Sequence, residues 1–208
     1  MSHYKIKLND TFELKDGVKM FDYPTCLNFI KERGKEIFSP QFIINPYHKK
    51  IYFQLLSYAI EDLNQLNNLG INPKKGLLLI GDAGVGKTAM FYLTKPFYSN
   101  KRSYVIKSCN ALANEFSYKG YEAIMPLIAP SAAPLCLDNM GKETNAKHFG
   151  NTCDTTYTIV EHFYEQRFTL SYPKLHITTS LSPSEIQNRY GIGFRKMLQE
   201  LCNVIVCD

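Results

Sequence analysis

Residues 81–88 read Gly-Asp-Ala-Gly-Val-Gly-Lys-Thr and satisfy the pattern GxxxxGK[ST] at every fixed position. Gly76-Leu77-Leu78-Leu79-Ile80 precedes them, an apolar run of the length a buried parallel strand needs, and Thr88 to Leu93 can open a helix. Strand, glycine loop and helix together leave few folds open. The glycines let successive backbone N–H groups point into one concave nest, and the helix N-terminus adds its partial positive charge. Such a nest suits phosphate. Chance produces the four fixed positions in about one chain in a hundred of this length, and the flanking strand and helix lower that further. Nucleotide binding is therefore the expectation, through Gly81, Asp82, Ala83, Gly84, Val85, Gly86, Lys87, Thr88 and Ala89. Lys87 would reach the β- and γ-phosphates of ATP, and the Thr88 hydroxyl would hold Mg²⁺.

The rest of the chain alternates in the same way. Apolar positions from Tyr52 to Leu66 keep helical spacing, so a helix is expected over Tyr47–Leu69, with Gly70 just past its end. Further strands are expected at Tyr104–Lys107, Pro134–Leu137, Leu175–Thr179 and Val204–Val206. Helices are expected at Tyr23–Lys35, Cys109–Phe116, Thr155–Leu170, Pro183–Arg189 and Phe194–Leu201. Ser182 would cap the helix that follows it. Alternating strands and helices predict an α/β fold with a parallel sheet covered on both faces. Residues 1–45 show no sustained period.

At 208 residues and 45% apolar content the chain can bury a full core. No stretch approaches the length of an apolar membrane span, and the start Met-Ser-His-Tyr-Lys-Ile-Lys lacks the apolar centre of a signal peptide. Six cysteines stand singly, which fits a reducing compartment, and a cytoplasmic setting without membrane partners is expected. His148 and His176 lack metal-ligand spacing with them, so zinc is not expected. The net charge is +5, yet residues 74–119 alone carry eight lysines and arginines against Asp82 and Glu115, a local +6. A basic segment beside a nucleotide site suits a polyanion such as DNA; a solvated basic face explains it equally well.

Three further groups bear on the chemistry. Asp138 closes the apolar run Leu135-Cys136-Leu137, and an acid at the tip of a neighbouring strand can hold Mg²⁺ beside the phosphate loop. Ser180 follows the strand Leu175–Thr179 and could orient an attacking water, or simply belong to a turn. Arg189 and Arg195, with Arg167 behind them, could contact a γ-phosphate in cis or from a neighbouring subunit.

Together, Gly81–Thr88, Leu135–Glu143 (LCLDNMGKE) and Ile177–Gly191 (ITTSLSPSEIQNRYG) resemble the AAA+ ATPases of the bacterial DnaC/IstB type, which are helicase loaders and transposition-helper ATPases. The resemblance covers roughly residues 45–207. It implies a P-loop NTPase sheet in the order 5-1-4-3-2 with little or no C-terminal lid, Mg²⁺ and ATP, and DNA as a partner. It implies assembly into ATP-dependent homo-oligomers and a partner such as a replicative helicase or transposase. It also implies that residues 1–45 form a short partner-binding region ahead of an ATPase domain at 46–208.

The departures from the family pattern are specific. A second acid commonly follows the metal-binding Asp, and here Asn139 stands there; an amide cannot take a proton from water as a carboxylate can. Ser180 replaces the usual Asn. Of the arginines that usually follow R-Y-G, only Arg195 remains, out of register. Glu143 is the substitute carboxylate to consider, five residues beyond Asp138. The expectation is a protein that binds Mg·ATP well and hydrolyses it slowly or only with a partner. A non-hydrolysing ATP-responsive module is the second reading. A small-molecule kinase is the third, disfavoured because the five arginines form no lid-like cluster.

Overall fold

The computed structural model describes residues 6–207, so Met1–Lys5 and Asp208, at the outer ends of the two expected domains, lie outside it. The described residues form two compact units. One runs to Ile71 and includes Ala89–Ser99; the other comprises Asn72–Thr88 and the chain from Asn100 onward.

The first unit opens with a hairpin, β1 (Phe12–Lys15) and β2 (Val18–Phe21), antiparallel with Phe12 opposite Phe21. Its turn is Asp16-Gly17, both at positive φ, the backbone a two-residue hairpin requires. Helices α1 (Tyr23–Ile37), α2 (Pro46–Ala59) and α3 (Leu63–Asn68) follow. Each starts on a side chain that accepts a backbone N–H three residues on: Asp22 from Thr25, Asn45 from His48, Asp62 from Gln65. The single helix expected over Tyr47–Leu69 is thus two helices. Asp62 captures the Gln65 N–H and begins a new helix, and Glu61 before it takes a left-handed φ of 58°. Cys26, Ile30, Leu55, Leu56 and Leu66 are buried without exposure.

The second unit is built on a five-stranded sheet: β3 (Gly76–Ile80), β4 (Val105–Ser108), β5 (Leu135–Met140), β8 (Leu175–Thr179) and β9 (Cys202–Val206). All pairs are parallel, in the order β4-β5-β8-β3-β9. Counting only these five along the chain, that order is 5-1-4-3-2, as expected. All five residues of β8 are buried, odd and even alike, so the strand reads as a continuous run rather than an alternating one. The helix after the glycine loop, α4 (Lys87–Thr94), belongs to the first unit from Ala89 onward and ends where a 3₁₀ turn at Lys95–Phe97 begins. Helix α5 (Cys109–Lys119) follows β4, and the short α6 (Met125–Ile128) comes before β5. Between β5 and α7 (Thr155–Glu165) comes a second hairpin, β6 (Ala146–His148) with β7 (Asn151–Cys153), which carries no turn signature in the sequence. Helix α7 ends at Glu165, short of the expected Leu170. Helices α8 (Pro183–Tyr190) and α9 (Ile192–Leu201) complete the unit, α8 with Ser182 and Glu185 as a reciprocal capping box. Leu78, Leu112, Phe116, Leu137, Ile159, Ile177 and Phe194 belong to one apolar cluster. All six cysteines are buried, and none forms a disulfide.

One side chain joins the sheet's own bonding. His176 on β8 is 1% exposed, and its Nδ1 accepts the Leu77 N–H of β3 at 3.1 Å. Burial, and after it the charge of Arg102, lower its pKa to about 3. The folded state therefore refuses a proton that the unfolded chain accepts near pH 6.5. Stability is unaffected by this group above that pH. It falls below that pH by about 1.4 kcal/mol per unit until the folded pKa is reached. Urea unfolding at pH 7 and pH 5 should show about 2 kcal/mol of acid-induced loss from this residue. That loss should vanish in His176→Asn, whose Oδ1 can accept the same N–H; an unchanged pH slope in the variant would remove the assignment.

Candidate functional site

The glycine loop joins β3 to α4. Gly84 and Gly86 take φ of 91° and 93°, and a β-carbon at either would meet nothing within 4 Å. Glycine is needed there for the backbone angle and not for lack of room. Lys87, 6% exposed, spans the loop from the first turn of α4 and donates from Nζ to the carbonyls of Gly81 and Asp82, 2.7 Å each. Burial lowers its pKa. A partly desolvated ammonium beside a glycine loop at a helix N-terminus is chemically suited to attract an anion.

Asp138 does not end its strand, as the sequence suggests; β5 continues to Met140. Its pairing with β8 slips between Leu137 and Met140, and Asn139 in the slip has a φ of 58°. Asn tolerates this left-handed backbone better than most residues do, and a bulge of this kind re-aims a side chain. The result is a dense set of bonds to one carboxylate. Asp138 Oδ1 accepts the Thr88 hydroxyl at 2.6 Å and the Thr178 hydroxyl at 2.7 Å. Its Oδ2 accepts the Asn139 side-chain amide at 2.9 Å. The Asn139 backbone N–H in turn donates to Thr178 Oγ1 at 2.8 Å.

These residues fit Mg²⁺. The ion keeps several waters and takes one or two protein oxygens plus phosphate oxygens, and adjacent oxygens around it lie about 2.9 Å apart. A hydroxyl and a carboxylate oxygen at 2.6 Å, next to the loop, form that kind of sparse set. No cluster of three or more His, Cys, Asp or Glu suited to a metal occurs among the described residues.

The other sequence candidates lie elsewhere in the bonding. Glu143 is 2% exposed. Its Oε2 accepts the Gly141 N–H at 2.8 Å, its Oε1 accepts the Tyr190 hydroxyl, and its carbonyl accepts the Arg189 guanidinium. Arg189 also lies 3.8 Å from the Glu143 carboxylate and 5.0 Å from the Tyr190 ring centre. Arg195 donates to Gln187 Oε1 at 2.9 Å, tying α9 to α8. Arg167 pairs with Glu200 at 3.0 Å and lies over the Tyr164 and Phe168 rings. Ser180 directly follows β8 and is half-buried. Thr178 and Tyr190 were missed as site residues. Thr178 sits beside Asp138 only because β8 is next to β5, a neighbourhood that strand order decides.

A glycine loop spanned by its lysine, with a strand-borne acid bonded to the loop's threonine, is the arrangement of a P-loop fold. The comparisons narrow it. No protein-family model and no curated protein matches the chain. Solved structures do. The DnaC helicase loader superposes with a TM-score of 0.55 at 17% identity, over 79% of this chain and 92% of that one. A proposed primosome component from Streptococcus pyogenes serotype M3 gives 0.56 at 14%, over 85% and 88%. AMPPCP-bound DnaA from Aquifex aeolicus gives 0.50 at 18%, over 80% of this chain and 48% of that protein. At these identities the likeness is one of fold: the chain shares the fold of the DnaC helicase loader.

Proposed function

We propose that this protein is a Mg²⁺-dependent ATP-binding ATPase whose own turnover is weak. It would act as a conformational switch on a replication or transposition assembly. The observation that carries the reading is the hydroxyl-to-carboxylate bond between Thr88 and Asp138 at the foot of the glycine loop. Gly81–Ala89 would wrap the triphosphate. Thr88 and Asp138 would hold the magnesium, which when bound supplies charge neutralisation at the phosphates. Thr178 and Asn139 keep the Asp138 carboxylate aimed.

Weak turnover follows from what surrounds the acid. Asn139 spends its amide on Asp138 and is no base, and Glu143 has its carboxylate oxygens bonded and buried. Arg189 and Arg195 are bound within the subunit, so a charge-stabilising arginine would come from a neighbouring copy or a partner. The fold likeness to a helicase loader supports a replicative helicase or transposase, with DNA, as the partner class, and the basic stretch 74–119 suits the DNA. Ser180 at the tip of β8 is the proposed water-orienting group. No described helix is long and apolar enough to cross a membrane.

The test is nucleotide affinity with and without Mg²⁺ in the wild type and in Asp138→Asn. In the wild type Mg²⁺ should tighten ATP by about tenfold or more, and in Asp138→Asn that gain should disappear while affinity in EDTA is kept. Equal Mg²⁺ dependence in the two proteins would end this reading of Asp138. Robust ATP turnover by the isolated wild type would end the proposal that hydrolysis is weak.

A further inference from the structure

The buried cluster around Glu143 is far more elaborate than a turn needs. Glu143 closes the turn that leaves β5. The Lys142 N–H bonds to the Asn139 carbonyl at 3.3 Å, the Gly141 N–H bonds to the Glu143 carboxylate, and Thr179 Oγ1 holds the Met140 carbonyl at 2.7 Å. Helix α8 and its lead-in grip this turn at two points. At one, Leu181 packs on Gly141 so closely that a β-carbon there would lie 2.3 Å from Leu181 Cδ1, at a φ of 99° that also favours glycine. At the other, Tyr190 and Arg189, in the last turn of α8, close on the carboxylate and the carbonyl of Glu143. Burial, and after it Glu143 itself, raise the Tyr190 phenol above its ordinary range, so it remains a donor. The gripped turn begins at Asn139, the residue whose two N–H groups fix Asp138 and Thr178.

We propose that Glu143, clamped by Tyr190 and Arg189, is a positioning residue: it holds turn 139–143, and through it the bulge that aims Asp138 at Thr88. The clamp makes α8 and the proposed metal site one mechanical unit, so that whatever moves the end of α8 retunes the metal site. This inference rests on the Mg·ATP reading above and adds to it the route by which a partner on α8 reaches the site.

The experiment uses Tyr190→Phe, which removes one hydroxyl and keeps the ring, and Glu143→Gln, which keeps an acceptor for Gly141. Two readouts are taken: hydrogen exchange of the Gly141 amide without nucleotide, and the Mg²⁺ concentration that half-restores tight ATP binding. In Tyr190→Phe, Gly141 exchange should quicken by about tenfold and the Mg²⁺ midpoint should rise by about fivefold or more, with ATP affinity in EDTA within about twofold of wild type. Glu143→Gln should recover at least half of both shifts on a logarithmic scale relative to Glu143→Ala. Faster exchange with an unmoved Mg²⁺ midpoint would reduce the clamp to a stability element and overturn the proposal. So would unchanged exchange. A wild type that binds no ATP would instead remove the underlying nucleotide reading, and with it the positioning role; the nucleotide-free exchange measurement separates that failure from failure of the clamp.

Discussion

Lys87→Ala should abolish ATP binding at concentrations that saturate the wild type, a loss of about a hundredfold or more in affinity. The residue supplies an ammonium that spans the glycine loop, and it is desolvated there, so its attraction for phosphate is weakly screened. The fold should tolerate the change. Two loop carbonyls lose a donor, but a buried charge goes with it. Thermal melts with and without ATP make the distinction. At a ligand concentration a hundred times Kd, the wild type should gain about 2.7 kcal/mol of stability and the variant almost none, with nucleotide-free melts close together. A variant that still gains ATP-dependent stability would show the anion held elsewhere.

Glu143→Ala should be the more damaging substitution to the fold, by about 3 kcal/mol. It strands the Tyr190 hydroxyl and the Gly141 N–H in a region where Glu143 is 2% exposed, and it opens a cavity beneath α8. Arg189 keeps its bond to the backbone carbonyl, so part of the attachment of α8 survives. Chemical denaturation of wild type, Glu143→Ala and Glu143→Gln reads this directly. A general base would behave differently: its removal would stop turnover and leave the unfolding midpoint where it was. Glu143→Ala with wild-type stability and lost hydrolysis would return Glu143 to the catalytic role that its place after Asp138 first suggests.

How much could be read beforehand divides by the range of the interactions. The glycine loop, β3 before it and α4 after it were legible because loop, strand and helix signals are local and their spacing is fixed. The capping of α8 by Ser182 was legible for the same reason. The break at Ile60–Asp62 was harder, since apolar spacing runs on through a helix start that one carboxylate creates. Asp16-Gly17 is a hairpin signal in plain view, flanked by strands too short and too mixed to stand out. Phe149-Gly150 makes the corresponding turn of β6 and β7 at φ of 45° and 84°, and nothing local announces a phenylalanine in that backbone.

The amino-acid order alone determined that a glycine loop of phosphate-binding pattern sits between a buried strand and a helix, that Asp138 rides the end of an apolar run, and that the chain alternates into a parallel α/β sheet. Each of these follows from neighbours within a few residues. The tertiary structure decided which groups Asp138 keeps. The β5–β8 pairing brings Thr178 to it, the bulge at Asn139 turns it to Thr88, and the turn that follows commits Glu143 to Tyr190 and Arg189. Those contacts join residues about forty to fifty positions apart, and only the packing of strands and helices sets which polar groups must share a buried space and satisfy one another.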